Sequence, residues 1–356
     1  MPLPDGVKEV RLYSAVRVAT VLRWAASDHP RAPAAALGVV KVARWFEGLR
    51  AHLGSLNAYS VGKQLQPGVY TKLSHSNLWS KYAAGKHVPR KVLGKVEEKL
   101  RGSRQVVDWP GWRALDVMQP IGTQAVALIR TLNPRIQTAC FDKAELKLDR
   151  YELRTNTDKL LKKLEQRACW DAVAAATIVL RLAHEQGDQQ GAHRAGRSLY
   201  YLLLMTAVTS SAYWIAPEIF AYFIHFIFPL AATSVVAYDL HHDAMWQRMQ
   251  WLYEMVLEHE DEGRPLAGFG ADTRRLRRVF VSPKYGFDRM LGFAPRLKHV
   301  ASEVDESKRR TLAYLQVFWQ WGERVLAHGR RQPMPPEHLV EQLEAAWPTT
   351  DTTDQA

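Results

Sequence analysis

The chain has 356 residues, 47% of them hydrophobic, with two cysteines and a formal net charge of +12. That length implies two or three domains, and that share of hydrophobic residues supports a packed core, which excludes a fibrous or wholly disordered protein. Cys140 and Cys169 give neither a disulfide framework nor metal-ligand spacing, so a disulfide-stapled secreted module is excluded and a reducing, cytoplasmic setting is expected.

The stretch Met1 to Gly6 has no basic start and no apolar run of the signal-peptide kind. Charge is distributed unevenly. Basic residues outnumber acidic ones by twelve ahead of residue 114, and the two are equal in number after it. Between Lys63 and Arg104 the only acids are Glu97 and Glu98. A polyanion partner is the simplest cause, because phosphate contacts release counterions and supply most non-specific affinity.

In chain order, apolar spacing predicts a helix over 7–28, with Val10, Val16, Val18, Val21, Leu22 and Ala25 on its apolar face and a stop at Asp28-His29-Pro30. A second helix is predicted over 34–53, with Leu37, Val40, Ala43, Trp45 and Leu49 inward and Lys41, Arg44 and Arg50 outward. The stretch 55–73 is interrupted by Gly62 and Pro67-Gly68 and reads as loops with one short helix. Residues 74–100 then read as two short helices with a stop between them. Ser74, Ser76 or Asn77 is a candidate N-cap, and Leu78 and Tyr82 share a face. Gly85 suits a left-handed helix closure, Pro89 the first turn of the next helix, and Val92, Leu93, Val96 and Leu100 form an apolar stripe ended by Gly102.

On Tyr82, the turn Gly85-Lys86-His87-Val88-Pro89, and Val92, Val96 and Leu100, this stretch resembles the second half of a Cro/repressor-type helix-turn-helix domain. There a recognition helix is followed by a Gly-Lys-x-x-Pro turn and a closing helix. Upstream, residues 61–70 carry a Pro and a Gly where the family has an uninterrupted helix and a tight turn. The resemblance implies that His75, Ser76, Asn77, Ser80 and Lys81 face base edges or phosphates. Asn can pair bidentately with adenine, and Ser hydroxyls can donate or accept. Lys86, Arg90, Lys91 and Lys95 would hold phosphates, which position without specifying. A role as caps alone fits Ser76 and Asn77 equally well, and Trp79 and Tyr82 read as core.

A boundary is expected near residue 112, where Trp109 and Trp112 would pack back on the preceding helices, giving a basic domain over 1–112 and a neutral all-helical domain over 113–347. Residues 113–132 read as one helix broken at Pro134, and 142–186 as strongly helical. Gly187-Asp188 and Gly191 interrupt the pattern before a helix resumes near Ala192, the rhythm of antiparallel helical hairpins.

The apolar block 199–238 divides at Pro217-Glu218 into two uncharged halves, each close to the roughly 20 residues that span a bilayer. A buried central pair and a membrane hairpin both fit, the hairpin needing a loop of barely two residues. An amphipathic helix over 239–262 carries Met245, Met249, Leu252, Met255 and Val256. Val279-Phe280-Val281 suggests a short extended piece, 284–297 a loop, 302–327 a closing helix, and the segment through Ala346 a short one. The tail 348–356 is expected to be disordered.

No nucleophile elbow, phosphate loop or dinucleotide fingerprint is present. His241 and His242 would point about 100° apart on a helix, a poor chelating pair, and His184-Glu185 lacks the second His of a zinc-protease helix. The sequence thus leads to an all-α, non-catalytic DNA-binding protein without cofactor or metal. It would serve transcriptional control, or recognition in a bacterial mobile-element or phage-related system. A homodimer through the larger domain is a further expectation. The first rival is a membrane-anchored effector or scaffold, placed at the inner membrane by 199–238, and the second is an enzyme of unrecognised type.

Overall fold

A computed structural model of the chain describes residues 5–70, 76–209, 211–261, 273–300 and 305–346. The class is all-α. The first helices are α1 (Asp5–Ala25), α2 (Ala32–His52), α3 (Ala58–Leu65), α4 (Leu78–Ala83), α5 (Leu93–Lys99), α6 (Ser103–Val107) and α7 (Gly111–Leu115). There follow α8 (Ala125–Arg130), α9 (Pro134–Cys140), α10 (Lys143–Lys147), α11 (Thr157–Glu165), α12 (Trp170–Glu185) and α13 (Gln189–Thr209). The last are α14 (Ala216–Tyr222), α15 (His242–Asp261), α16 (Thr273–Val281), α17 (Phe287–Gly292), α18 (Glu306–His328) and α19 (Glu337–Ala346). Among the described residues a single antiparallel ribbon joins β1 (Val236–Tyr238) to β2 (Leu297–His299), with Val236 opposite His299 and Tyr238 opposite Leu297.

Local chemistry starts many of these helices. Asn57 and Ser60 bond reciprocally at the head of α3, Asn133 caps α9 ahead of Pro134, and Asp142 and Asn156 cap α10 and α11. Each side chain accepts from a backbone N–H that the helix leaves unpaired.

The centre of the molecule is the antiparallel pair α12 and α13. Every residue from Ala172 to Leu180, and every residue from Leu199 to Val208, is buried. A helix apolar on all sides belongs in the middle of a large domain. Gly187, at φ +74°, closes α12. Asp188 Oδ1 then accepts from Gly191 N at 2.8 Å, so α13 is already under way where the sequence suggested an interruption.

Beyond α13, Ser211–Ile215 is a 3₁₀ turn, α14 follows, Phe223–Ile227 widens into a π turn, and Phe228–Ala231 tightens again into 3₁₀. Among the described residues Ala212–Ala231 alone is long and apolar enough to cross a membrane, at a mean hydropathy of 1.5, and 61% of it is buried inside the protein. The two apolar halves are therefore not a matched pair of helices. One is the end of a helix begun at Gln189, and the other runs out into β1.

Elsewhere the structure corrects four expected elements. The helix expected over 113–132 is broken between α7 and α8, where Pro120 and Gly122 intervene and Glu185 accepts from Ile121 N and Gly122 N. Glu185 thus caps the turn at Ile121. The region 142–186 is three helices, because Asp149 turns left-handed at φ +58° and Phe141 bridges to Leu153. Val279-Phe280-Val281 is the end of α16, with Leu276, Val279 and Phe280 buried on one helical face rather than alternating as in a strand. The expected loop 284–297 holds α17. The tail expected to be disordered lies outside the described residues.

Two cores meet on α2. Ala36, Leu37, Val40 and Ala43 join the large core that runs from Val21 to Phe293. Val42, Trp45, Phe46 and Leu49 join a second core with residues of α3 to α6. Packing is thus continuous through residue 112.

The outward faces expected for Arg44 and Arg50 are not observed, because both are used as packing groups. The Arg44 guanidinium lies 4.1 Å from the Trp170 ring, 4.7 Å from Trp109 and 5.5 Å from Trp112. Burial pushes its pKa down to about 10, against the opposing pull of Asp171. Arg50 Nε donates to Glu47 Oε2 at 2.5 Å, and its guanidinium sits 4.8 Å from Trp214. Lys41 is only half-buried.

Beneath them lies a sealed ionic cluster. Arg17 is wholly buried; its Nε donates to Glu218 Oε1 at 2.5 Å, and its Nη1 donates to Glu47 Oε1 at 3.0 Å and to the Ala83 carbonyl at 2.8 Å. Burial opposes the charge on Arg17, but the carboxylates of Glu218 and Glu47 outweigh it and raise the pKa. Arg17→Ala would leave those acids without their shared cation. Removing one partner of a buried ion pair costs about 3–5 kcal/mol. The urea midpoint of Arg17→Ala should fall accordingly, and Arg17→Met combined with Glu218→Leu should recover much of the loss. A midpoint unchanged in Arg17→Ala would refute the assignment.

Candidate nucleic-acid interface

The basic module is built on three aromatic rings. Trp45 of α2 stacks on Trp79 of α4 at 6.1 Å and 14°, and Tyr82 meets both edge-on at 5.5 and 5.6 Å. Trp79 Nε1 donates to Gln66 Oε1 at 3.1 Å, so its polar atom is satisfied. Both aromatic residues of α4 are buried, as their expected core role requires.

Burying Trp79, Tyr82 and Ala83 turns the opposite side of α4 outward. Asn77, Ser80 and Lys81 are all exposed, and their spacing of three and four puts them on one face. The cap question resolves between neighbours. Ser76 Oγ accepts from Leu78 N at 3.1 Å, while Asn77 makes no side-chain cap bond. Ser76 is therefore committed to the helix start, with its carbonyl held by Tyr70 Oη at 2.7 Å. Asn77 keeps its amide for another partner. His75 lies outside the described residues.

The helix closes as expected at Gly85. Lys86 N donates to Lys81 O, Gly85 N donates to Tyr82 O, and Gly85 takes φ +69°. This is the six-to-one and five-to-two pattern of a Schellman closure. Pro89 is not in the first turn of α5. It stands four residues before it, and its carbonyl accepts from Val92 N and Leu93 N. Val92 and Val96 are buried and Leu93 and Leu100 half-buried, so the apolar stripe faces the module core.

Lys86, Arg90, Lys91 and Lys95 are consequently all exposed, and together with Lys81 they form no ion pair among the described residues. Of the two acids in this stretch, Glu97 is otherwise engaged. Glu97 accepts from Gly102 N, Arg104 N and Ser103 Oγ, which caps α6 and holds its carboxyl below the usual range.

Two exposed residues of α3 lie outside the predicted contact set. Tyr59 and Lys63 are exposed one turn apart on α3, with Tyr59 edge-on to Tyr70 at 5.4 Å. The signal was the spacing of four in a capped helix. Twelve residues separate Leu65, the end of α3, from Leu78, the start of α4.

No metal-binding group of three or more His, Cys, Asp or Glu occurs among the described residues. Comparison of the chain with models of known protein families, with curated proteins and with solved structures finds no match.

Two outcomes test this geometry. A Cβ on Gly85 would meet Val39 Cγ1 at 2.8 Å, in a backbone conformation L side chains avoid, so Gly85→Ala should cost about 1–3 kcal/mol in thermal unfolding. For Glu97 the folded pKa is depressed. Its stabilisation is full above the unfolded pKa and is lost as pH falls through the folded one, on the acid side of the usual carboxylate range. Glu97→Gln should remove that acid-dependent part of the stability profile.

Proposed function

We propose that this protein binds DNA through the exposed face of α4, the α4–α5 turn and α5, and that it acts as a non-catalytic regulator or recognition protein in the cytoplasm. One observation carries the reading: five cations, without an ion pair among the described residues, stand outward over a small aromatic core. Lys86, Arg90, Lys91 and Lys95 take phosphates, which fix register. Asn77, Ser80 and Lys81 take base edges, Asn77 being the best suited to adenine. With only six residues in α4, few bases are read directly, so sequence-independent attraction supplies much of the affinity. The neutral remainder of the chain provides assembly, with a homodimer as its simplest form.

The rival is a membrane-anchored protein using Ala212–Ala231. Its burial against the rest of the fold favours the soluble arrangement.

A mobility-shift titration at two salt concentrations tests the proposal. The Lys86/Arg90/Lys91 triple alanine protein should bind DNA more weakly, and its log–log salt slope should be shallower by roughly 0.9 for each phosphate that is no longer neutralised. Asn77→Ala should leave that slope unchanged and lower discrimination between selected and random sequences by about 1–3 kcal/mol. Equal binding by wild type and the triple variant refutes the interface.

A further inference from the structure

Away from the basic module the described residues hold a second gathering of cations, and this one is concave. The end of α18 and the start of α19 enclose a cleft of about 480 Å³. Its floor is Trp321 and Leu339, both nearly buried. Its rim is Arg324, His328, Arg330, Arg331 and His338, and none of the described residues lining it is acidic.

The rim residues are not equivalent. Arg331 is engaged, its Nε donating to Asp288 Oδ2 at 3.0 Å and its Nη2 to the Tyr285 carbonyl at 2.6 Å, so it serves as a fixed wall. Arg324 makes only one long bond, from Nε to the Gln320 carbonyl of its own helix at 3.4 Å. Arg330 and His338 are exposed and make no hydrogen bond or ion pair among the described residues. His328 uses Nδ1 on the Arg324 carbonyl at 2.6 Å, which leaves Nε2 for a ligand. Gly329, at φ +66°, turns the chain sharply at the end of α18, and Arg324 and Arg330 line the same opening from either side of that turn. Trp321 is pinned by its Nε1 donating to Gln332 Oε1 at 3.3 Å.

Guanidinium forks without a carboxylate partner match phosphate oxygens. The apolar floor matches a flat organic group, and the volume falls in the roughly 300–1,000 Å³ range of small-molecule sites. The sign of the rim disfavours a metal cation or a basic ligand. We infer that this cleft binds a small phosphate ester carrying a flat ring, of the nucleoside monophosphate class. It shares no residue with the proposed DNA interface and does not rest on that reading.

Calorimetric titration of the full chain with adenosine monophosphate, adenosine and inorganic phosphate tests it. The monophosphate should bind saturably at one site. Adenosine and inorganic phosphate should each bind at least about tenfold more weakly, since each lacks one half of the recognition. Arg330→Ala, at an exposed position, and the Arg324→Ala/Arg330→Ala double variant should weaken monophosphate binding by about tenfold or more with helical circular dichroism unchanged. The Lys86/Arg90/Lys91 triple alanine protein should bind the monophosphate as wild type does. No binding of the monophosphate, equal binding of adenosine or of inorganic phosphate, undiminished binding by the double variant, or loss in the triple variant would each overturn the assignment.

Discussion

The guanidinium of Arg17 is the point on which the arrangement turns. It comes from α1, bonds a carboxylate on α2, a second on α14 and the last carbonyl of α4, and is sealed from water. With Arg50 on Glu47, two cations and two anions balance in the interior. An isolated charge in such a place would be prohibitively costly, so each of these groups is tolerable only while the others are in position. The bond from Arg17 to Glu218 joins residues 201 apart in the chain. A contact of that kind is satisfied in one docking of the helices and in few others. It accounts for α1 and α2 lying on the apolar segment.

From that anchor follows the use of α2 as a shared wall. One side feeds the large core with small and branched residues, and the other meets α4 with Trp45. Ala83 accepts from Arg17 and Gly85 lies against Val39, so the C-terminal end of α4 is held against α1 and α2. The exposed triplet Asn77, Ser80 and Lys81 is a geometric consequence: a short helix pinned by Trp79, Tyr82 and Ala83 has only one side left to offer.

Acid placement explains why the surplus of cations stays at the surface. In the neutral remainder, acids are consumed inward. Glu165 takes Arg277 and Ser198, Glu323 takes Arg248 and Arg296, and Asp288 takes Arg331. In the first third, Glu47 is committed to the buried cluster and Glu97 to capping α6. Little is left to meet Lys81, Lys86, Arg90, Lys91 or Lys95. Charge asymmetry along the chain thereby becomes an asymmetric field in space.

Periodicity and punctuation made much of this legible in the sequence: the all-α class, the long α2, α15 and α18, the inward Leu37, Trp45 and Met249, the Gly85 closure and the outward cations. Those features depend on neighbours three or four residues away or on solvation of a charge, and both are written locally. What local pattern could not convey was partnership at long range. Arg17, Arg44 and Arg50 look like ordinary solvated arginines until Glu218 and four tryptophans from distant elements close over them. Glu185 looks like a surface acid until the chain at Ile121 arrives to be capped. Whether the block 199–238 would be buried also lay beyond composition, because an apolar helix satisfies protein and lipid alike. Sequence alone therefore determined which segments would coil and which side chains would seek water. Only the tertiary structure decided which buried charges would find each other, because that pairing is set by distances across the fold and not along the chain.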